Sequence, residues 1–216
     1  MNTYYPVYIE MRAQPCIVIG GGKIAEGKVD GLLAVQAQVT VIAPELTPHL
    51  QQLAKQKQIT YIPRKYQSED LTGAFMVICA TDQADINHQV WQDASANHQL
   101  VNVVDDTLRC NFIAPSILRK GDLTIAISTS GKAPALAVRL KERLQRELGP
   151  EYERFLELAG KLREPLAHHI PDFETRKALW YQLVDSEILD VLASGDEDSA
   201  KEIISQVVGF EFEPVG

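Results

Sequence analysis

The sequence predicts an α/β fold, with a parallel sheet in its first half and a mainly helical second half. Up to residue 104, short apolar runs typical of buried strands alternate with stretches whose apolar residues recur at helical spacing. This alternation is the pattern of βαβ units, in which a helix joins two parallel strands. Beyond residue 104 the pattern changes to a hairpin and then to amphipathic helices. The 216 residues suffice for one domain and a smaller second part.

Each element of the first half is predicted from a short local pattern. Runs of apolar and β-branched residues predict five strands, at residues 16–19, 39–42, 59–62, 75–80 and 100–104. Apolar residues at helical spacing predict helices at residues 24–35, 46–57 and 84–97. Pro44 ends the second strand, because proline has no N–H to donate to a sheet.

The second half begins with two β-like runs, residues 111–118 and 123–128, separated by a turn at residues 119–122. Pro134 marks the first turn of a helix that extends towards Gly149. Amphipathic helices are predicted at residues 152–169 and 173–184. Ser199 is predicted to cap a last short helix.

The chain is acidic, and its charge argues against two classes of partner. It has 21 Lys and Arg residues against 29 Asp and Glu residues, a formal net charge of −8 and a pI near 5.1. Such a surface repels the phosphates of nucleic acids and the anionic face of membranes. We therefore predict no nucleic-acid partner and no membrane partner.

The sequence has no targeting signal and no metal-binding pattern, and these absences predict where the protein is located and whether it binds a metal. The first residues do not have the basic start and apolar core of a signal peptide, and no apolar run reaches the membrane-spanning length of about 20 residues. A cytoplasmic protein is expected. Cys16, Cys79 and Cys110 have neither a disulfide framework nor paired zinc spacing. The adjacent His168 and His169 point about 100° apart on a helix, so no metal site is predicted.

A glycine-rich turn follows the first predicted strand and opens the first predicted helix. Its residues fit the pattern G-x-G-x-x-A and are Gly20, Gly21, Gly22, Lys23, Ile24 and Ala25. In this pattern the first glycine permits a tight turn, the second lets the backbone approach a pyrophosphate, and the small last residue lets the helix pack close to the sheet. The pattern predicts a Rossmann-type dinucleotide site at the helix N-terminus. A tight turn without a ligand is the alternative.

The end of the second strand indicates which dinucleotide is bound. A typical NAD site has an acid there for the ribose hydroxyls, whereas this chain has Ala43 and Pro44. Glu45 lies one or two residues later and could reach the ribose, or backbone groups could replace the acid. No arginine stands there to receive a 2′-phosphate, which favours NAD over NADP.

Polar residues also follow the fourth and fifth strands, at the edge where ligands of such folds bind. Thr81 and Asp82 are predicted to line the cofactor site, and an N-cap role for either residue is the alternative. Asp105 and Asp106 lie where a base would face a substrate held against a nicotinamide. Adjacent residues of an extended backbone point to opposite sides, so these acids are not expected to share a proton. Loop acids that cap the next turn are the alternative.

The residues before the helix of Pro134 suggest a second anion site. Hydroxyls, a glycine and backbone N–H groups lie there at a helix N-terminus, from Ser128 to Lys132. An ordinary capped turn is the alternative. Basic residues cluster in the same stretch and could bind an anionic small molecule; they are Arg109, Arg119, Lys120, Lys132, Arg139, Lys141 and Arg143. A solvated helix face explains Lys141 and Arg143 equally well.

Taken together, these segments resemble the precorrin-2 dehydrogenase and siroheme synthase family. The resemblance is carried by six segments in family order: VIGGGKIA at 18–25, VTVIAP at 39–44, ATD at 80–82, NVVDD at 102–106, CNFI with Pro115 at 110–115, and AISTSGKAPALA at 126–137. They cover about residues 5–145. The set is highly specific, although the glycine turn alone is not.

The resemblance implies a three-part protein and a reaction. The parts are an NAD-binding Rossmann-like domain at residues 1–106, a dimerisation region at 107–149 that forms a homodimer, and a helical C-terminal domain at 150–216. The reaction is the oxidation of precorrin-2 to sirohydrochlorin, with NAD⁺ accepting a hydride. Asp105 matches the family's catalytic aspartate, which removes the accompanying proton. Some members also insert Fe²⁺ into the product, and no motif here decides that second activity.

The resemblance and the local patterns together give a set of expected site residues. Cofactor contacts are expected from residues 20–25 and from Ala43, Pro44, Glu45, Thr81, Asp82 and Val104. Contacts to the polycarboxylate substrate are expected from Asn111, Arg119, Ser128, Thr129, Ser130, Gly131 and Lys132. The alternative function is a nucleotide-sensing regulatory module without catalysis. Such a module would explain the glycine turn and leave Asp105 without a role.

Overall fold

The computed structural model describes residues 4–213, which fall into two compact units that meet in sequence at Ala114 and Pro115. Residues 1–3 and 214–216 of the predicted first and last domains, and the start of the segment considered for a signal peptide, lie outside the described residues. Within the described part of the chain, no helix is long and apolar enough to cross a membrane.

The first unit is built on a five-stranded parallel sheet. Its strands are β1 (Pro15–Ile19), β2 (Gln38–Ile42), β3 (Thr60–Ile62), β4 (Met76–Cys79) and β5 (Leu100–Val103). They lie in the order β3-β2-β1-β4-β5, and every neighbouring pair is parallel. The helices of this unit are α1 (Lys23–Leu33), α2 (Pro48–Lys55) and α3 (Ala84–Ala96). The predicted Rossmann-type α/β fold is confirmed.

The sheet has a hydrophobic core on each face, as expected when helices cover both sides of parallel strands. On one side, Val18 and Val41 pack with Val29 of α1 and Leu50 of α2, and all four are fully buried. On the other side, Val77 packs with Val90 of α3. Because the side chains of a strand alternate between the faces, β1 contributes to both cores.

The second unit begins with an antiparallel hairpin and continues as helices. The hairpin consists of β6 (Ser116–Lys120) and β7 (Leu123–Ile127). The helices are α4 (Pro134–Glu147), α5 (Glu151–His169), α6 (Phe173–Val184), α7 (Ile188–Ser194) and α8 (Glu197–Val208). Leucine and isoleucine side chains of α5 to α8 form their core, with Leu162, Leu183 and Leu192 fully buried.

The local predictions for the hairpin turn and for the cap of the last helix are wrong, and one helix was not predicted. The hairpin turns at Gly121 and Asp122 alone, so Arg119 and Lys120 belong to β6 and not to the turn. The cap of α8 is Asp196, whose carboxylate accepts from the backbone N–H of Ser199 at 3.0 Å. Ser199 therefore lies inside the first turn. Helix α7 was not predicted, because its seven residues are too few to show a clear helical period.

Candidate functional site

A cleft of about 750 Å³ lies at the carboxyl edge of the sheet in the first unit. Its walls are the segments that follow β1, β2, β3, β4 and β5. The residues lining it are Ile19, Gly20, Gly21, Gly22, Lys23, Ile24, Ile42, Ala43, Pro44, Glu45, Lys65, Tyr66, Ala80, Thr81, Asp82, Gln83, Ile86, Val104 and Asp105. Asp105 and all the expected cofactor residues except Ala25 are therefore together on one cleft.

The glycine turn combines close packing with an open side. Gly20 has φ +117°, and a Cβ built there would lie 2.3 Å from the carbonyl oxygen of Ala80. This position therefore excludes every side chain. A Cβ on Gly22 would meet no atom of residues 4–213 within 4 Å. The turn is thus tight against β4 and leaves space beside Gly22 for the close approach of a ligand.

The N-terminus of α1 adjoins that open space. The first N–H groups of a helix have no partner within it, and its dipole attracts anions. Ala25, the small residue of the motif, is fully buried where α1 packs on the sheet. It does not line the cleft, so its contribution to a cofactor site is close helix packing.

Lys23 is paired with an acid of its own helix. Its ammonium contacts the carboxylate of the buried Glu26, which also accepts from the hydroxyl of Thr47 at 2.7 Å. Hydrogen bonding from Lys23, and then from Thr47, holds the pKa of Glu26 below its usual range. Thr47 in turn accepts from the N–H of Leu50 and caps α2. Glu26 thereby joins the start of α1 to the start of α2.

The segments after β2 and β3 form one side of the cleft. Ala43 is buried, whereas Pro44 and Glu45 are exposed at the cleft. Lys65 and Tyr66 also line it, and sequence reasoning missed both. The available signal was their position soon after the third strand, at the carboxyl edge. Tyr66 is buried and donates its hydroxyl to Asp93 at 2.8 Å, and burial first, then this bond, raises its pKa.

The turn after β4 supports one of the two predicted roles of Thr81 and Asp82. Both residues line the cleft. The N-cap prediction is wrong, because α3 begins after Gln83 and has no side-chain cap in the described structure. The hydroxyl of Thr81 instead accepts from the N–H of Gln83 at 2.9 Å, before the helix begins.

The two acids after β5 have different environments. The Asp106 carboxylate is ion-paired with the guanidinium of Arg109. Asp105 lies on the cleft, and no hydrogen bond or ion pair occupies its carboxylate within residues 4–213. Its backbone has φ +61°, a left-handed conformation that is uncommon outside glycine. The fold thus holds a free carboxylate at the cleft on a backbone of raised energy.

Asn111 has a structural role at the edge of the sheet. Its side-chain oxygen accepts from the N–H of Val101 at 2.8 Å, and its side-chain nitrogen donates to the carbonyl of Gln99 at 2.7 Å. Its own N–H donates to the carbonyl of Val101 at 3.0 Å. These bonds engage the side-chain oxygen and the side-chain nitrogen of Asn111, which was expected to contact substrate. That contact stays a prediction.

The other expected substrate residues belong to the second unit. Arg119 is exposed on β6, and the loop of residues 128–132 precedes α4. Thr129 accepts from the N–H of Ala133 at 3.2 Å, as a capped turn requires. Ser130 and Gly131 both have positive φ, which curls the backbone before the helix. Both predicted roles of this loop remain open.

The basic cluster is partly neutralised by neighbouring acids. Arg139 pairs with Glu142 and Arg143 pairs with Glu147 on α4. The pair of Arg143 lies on the exposed surface of α4, which agrees with the alternative interpretation of this residue as part of a solvated helix face. No ion pair of Arg119 or Lys132 is present among the residues that the structure describes.

The described cysteines and histidines form no metal centre. Residues 4–213 contain no group of three or more His, Cys, Asp or Glu side chains arranged to hold a metal ion. Cys16 and Cys79 are buried in strands, and burial raises their thiol pKa values to about 11 and about 12. Both thiols are therefore protonated at neutral pH.

The parallel sheet, the glycine turn and the cleft at the carboxyl edge define a Rossmann-type dinucleotide-binding protein. Three family models match: "Putative NAD(P)-binding" at residues 7–116, "Sirohaem biosynthesis protein central" at 120–147 and "Sirohaem synthase dimerisation region" at 151–207. The chain belongs to the family of the siroheme synthase N-terminal module and precorrin-2 dehydrogenase. The resemblance predicted from the sequence is confirmed.

Individual relatives agree with this assignment. The chain is 40% identical over 199 residues to the siroheme synthase of Photobacterium profundum, covering 92% of this chain and 42% of the relative. It is 36% identical over 214 residues to siroheme synthase 3 of Aeromonas hydrophila, covering 99% of this chain and 46% of the relative. The chain thus spans less than half the length of these curated relatives. The solved structure of "SirC, precorrin-2 dehydrogenase" matches with a TM-score of 0.78 and 25% identity, covering 96% of this chain and all of that one.

Proposed function

We propose that this chain oxidises precorrin-2 to sirohydrochlorin with NAD⁺ as the hydride acceptor. The cleft has the components that this reaction needs: a glycine turn for a dinucleotide and a carboxylate for a proton. The similarity to a protein named precorrin-2 dehydrogenase over its whole length supports the same activity here. The cytoplasm, where NAD⁺ is supplied, is the expected location.

The residues present fit a dinucleotide. The open space beside Gly22 is the cradle that a Cβ would fill, and it adjoins the N-terminus of α1, which favours a pyrophosphate. Pro44, Glu45 and Lys65 lie on the side of the cleft that receives the adenosine in Rossmann-type folds. When bound, NAD⁺ supplies the acceptor for a hydride. The chain's part is to bind it, orient it and handle the proton.

The free carboxylate of Asp105 at the cleft is the observation that carries the proposal. A bound NAD⁺, held by the glycine turn and the N-terminus of α1, would accept one hydrogen of precorrin-2 as a hydride, and the Asp105 carboxylate would accept a second hydrogen as a proton. The substrate loses two hydrogens, and the products are sirohydrochlorin, NADH and a proton that Asp105 releases to water. Asp106 is unsuited to this role because Arg109 occupies its carboxylate.

The second unit supplies the proposed substrate and dimer contacts. Arg119 and Lys132 are exposed cations that suit a polycarboxylate substrate. Exposed apolar side chains on β6 and α4 suit a partner chain; they are Ile117, Leu136, Val138 and Leu140. The match to a dimerisation region at residues 151–207 supports a homodimer, although it covers the helices after α4 and not these apolar side chains. We retain the three-part division at residues 1–106, 107–149 and 150–216 as part of the proposal.

The test is an anaerobic assay of the purified chain with precorrin-2 and NAD⁺, in which NADH formation and the tetrapyrrole spectrum are followed together. Conversion that depends on NAD⁺ is expected. Asp105→Asn should lower turnover about 100-fold or more and leave NAD⁺ affinity near that of the wild type. Asp106→Asn is the matched control on the adjacent acid and should retain most of the turnover.

Two results would contradict the proposal at different points. Full turnover by Asp105→Asn would remove the general base from Asp105 while leaving the reaction in place. NAD⁺ binding without any oxidation of precorrin-2 would favour the sensor function instead. Addition of Fe²⁺ or Co²⁺ to the completed reaction then tests whether this chain also carries out metal insertion.

A further inference from the structure

Asn87 lies behind the turn that joins β4 to α3, and no sequence pattern pointed to it. Its side-chain nitrogen donates to the carbonyl oxygen of Thr81 at 3.1 Å. Its side-chain oxygen accepts from the hydroxyl of Thr81 at 3.3 Å and from the thiol of Cys79 at 3.1 Å. One amide thus binds the hydroxyl and the carbonyl of Thr81 and the end of β4. Asn87 itself does not line the cleft.

These bonds determine which hydrogen-bonding groups Thr81 has left. A threonine hydroxyl has one proton and two lone pairs. The proton is donated to Asn87, and one lone pair accepts the N–H of Gln83 at 2.9 Å. The carbonyl oxygen of Thr81 likewise has one lone pair left after binding Asn87. Thr81 therefore presents acceptors and no side-chain donor to the cleft.

We propose that Asn87 is a positioning residue that fixes Thr81 as a hydrogen-bond acceptor for a donor group of the dinucleotide. Ribose hydroxyls and carboxamide N–H groups are donors of this kind. Phosphate oxygens are acceptors, so the pyrophosphate is directed away from Thr81 and towards Gly22 and the N-terminus of α1. This inference rests on the proposed cofactor binding and names a residue outside the cleft that shapes it.

The thiol of Cys79 supports the orientation of the amide. Cys79 is fully buried, and burial keeps its thiol protonated at neutral pH. A protonated thiol can donate to the side-chain oxygen of Asn87, and the carbonyl of Thr81 can only accept. The three partners therefore permit a single orientation of the Asn87 amide, with oxygen towards Cys79 and nitrogen towards the Thr81 carbonyl.

A double-mutant cycle separates positioning from simple stabilisation of α3. NAD⁺ affinity is measured by calorimetric titration for the wild type, Asn87→Ala, Thr81→Val and the double variant. Each single change is expected to weaken binding about 5- to 30-fold. The double variant should have about the same NAD⁺ affinity as the single variant that binds less tightly. When one residue acts through another, the losses in binding free energy do not add. Asn97→Asp, on the exposed end of α3, is the control and should bind like the wild type.

Asn87→Asp tests the same idea with a nearly isosteric side chain. It keeps an acceptor for Cys79 and Thr81 and places a carboxylate oxygen against the Thr81 carbonyl, so NAD⁺ binding should weaken. This variant carries the test if Asn87→Ala does not fold. Hydrogen exchange of the NAD⁺-free protein should be faster at residues 81–83 in both Asn87 variants than in Asn97→Asp.

The outcomes separate this inference from the proposed function. If the wild type binds no NAD⁺, cofactor binding itself fails and the role of Asn87 fails with it. If the wild type binds NAD⁺ but the folded Asn87 variants bind it equally well, only the role of Asn87 is overturned. Additive losses in the cycle, accompanied by lower melting temperatures, would also overturn it, because they indicate a structural contact independent of Thr81.

Discussion

Gly20 and Ala80 approach so closely that a Cβ on Gly20 would lie 2.3 Å from the Ala80 carbonyl oxygen. The contact joins the end of β1 to the end of β4, the two strands on which the glycine turn and the Thr81 turn are built. Gly22, two residues later, has free space around the corresponding position. The two glycines therefore have separable roles in folding and in binding.

Gly20→Ala should mainly lower stability, whereas Gly22→Ala should mainly weaken NAD⁺ binding. Gly20→Ala should lower the free energy of unfolding by about 2–4 kcal/mol, because it adds a clash to a strained φ. Gly22→Ala should change that free energy by less than about 1 kcal/mol and weaken NAD⁺ binding about tenfold or more, by blocking a close backbone contact. Urea unfolding and calorimetric titration measure the two effects. Normal NAD⁺ affinity in Gly22→Ala would place the pyrophosphate elsewhere.

The left-handed backbone at Asp105 should affect stability separately from the effect of its carboxylate on turnover. Its φ of +61° is tolerated by Asn and Asp better than by Ala. Asp105→Asn should therefore unfold like the wild type, while Asp105→Ala should lose about 1 kcal/mol. Both variants should lose turnover. Equal stability of the two in urea unfolding would show that the left-handed conformation imposes no cost at this position.

Asn111 offers a test between a structural role and a substrate contact. Asn111→Ala removes the side-chain bonds to Val101 and Gln99 and should lower the free energy of unfolding by about 1–2 kcal/mol. The folded variant should keep the wild-type KM for precorrin-2. A raised KM without loss of stability would instead support the substrate contact expected from the family resemblance.

The strands and the glycine turn could be predicted because their signals are local. The runs at Cys16 and Val39 are apolar over several residues and are bounded by glycine or proline, so neighbouring sequence suffices. Asn87, Lys65 and Tyr66 could not be assigned in this way. Lys65 and Tyr66 reach the cleft because separate strands bring their carboxyl ends to one edge. Asn87 acquires its role because α3 folds back on the end of β4. No short sequence pattern records either contact.

The errors in the second half have a related physical cause. Asp196 and Ser199 are both good capping residues three positions apart, and the choice depends on where α8 begins. In the hairpin, the pairing of Lys120 with Leu123 extends β6 into the residues that were expected to form the turn. Charged residues occur both in exposed strands and in turns, so the sequence alone does not distinguish the two. The cross-strand pairing determines where β6 ends.

The ion pair between Arg64 and Asp70 should give the first unit a measurable dependence on pH. Two bonds, at 2.7 and 2.6 Å, join the guanidinium to the largely buried carboxylate, which also accepts from the N–H of Gln67. Hydrogen bonding from Arg64 holds the pKa of Asp70 below its usual range. The unfolded chain therefore binds a proton at Asp70 at a higher pH than the folded chain does.

The direction in which stability changes with pH follows from that difference in proton binding. The stabilisation by Asp70 is complete above the unfolded pKa of about 3.9 and is lost as pH falls below it towards the lower folded pKa. Asp70→Asn should cost about 1–2 kcal/mol at neutral pH and should flatten the decline in stability below about pH 4. Urea unfolding from pH 7 to pH 3 measures both the cost at neutral pH and the slope of the decline.

Asp198→Asn, which removes an exposed ion pair with Lys201, is the matched control and should leave the decline nearly unchanged. An equally steep decline in Asp70→Asn and the wild type would show that other carboxylates dominate the acid response.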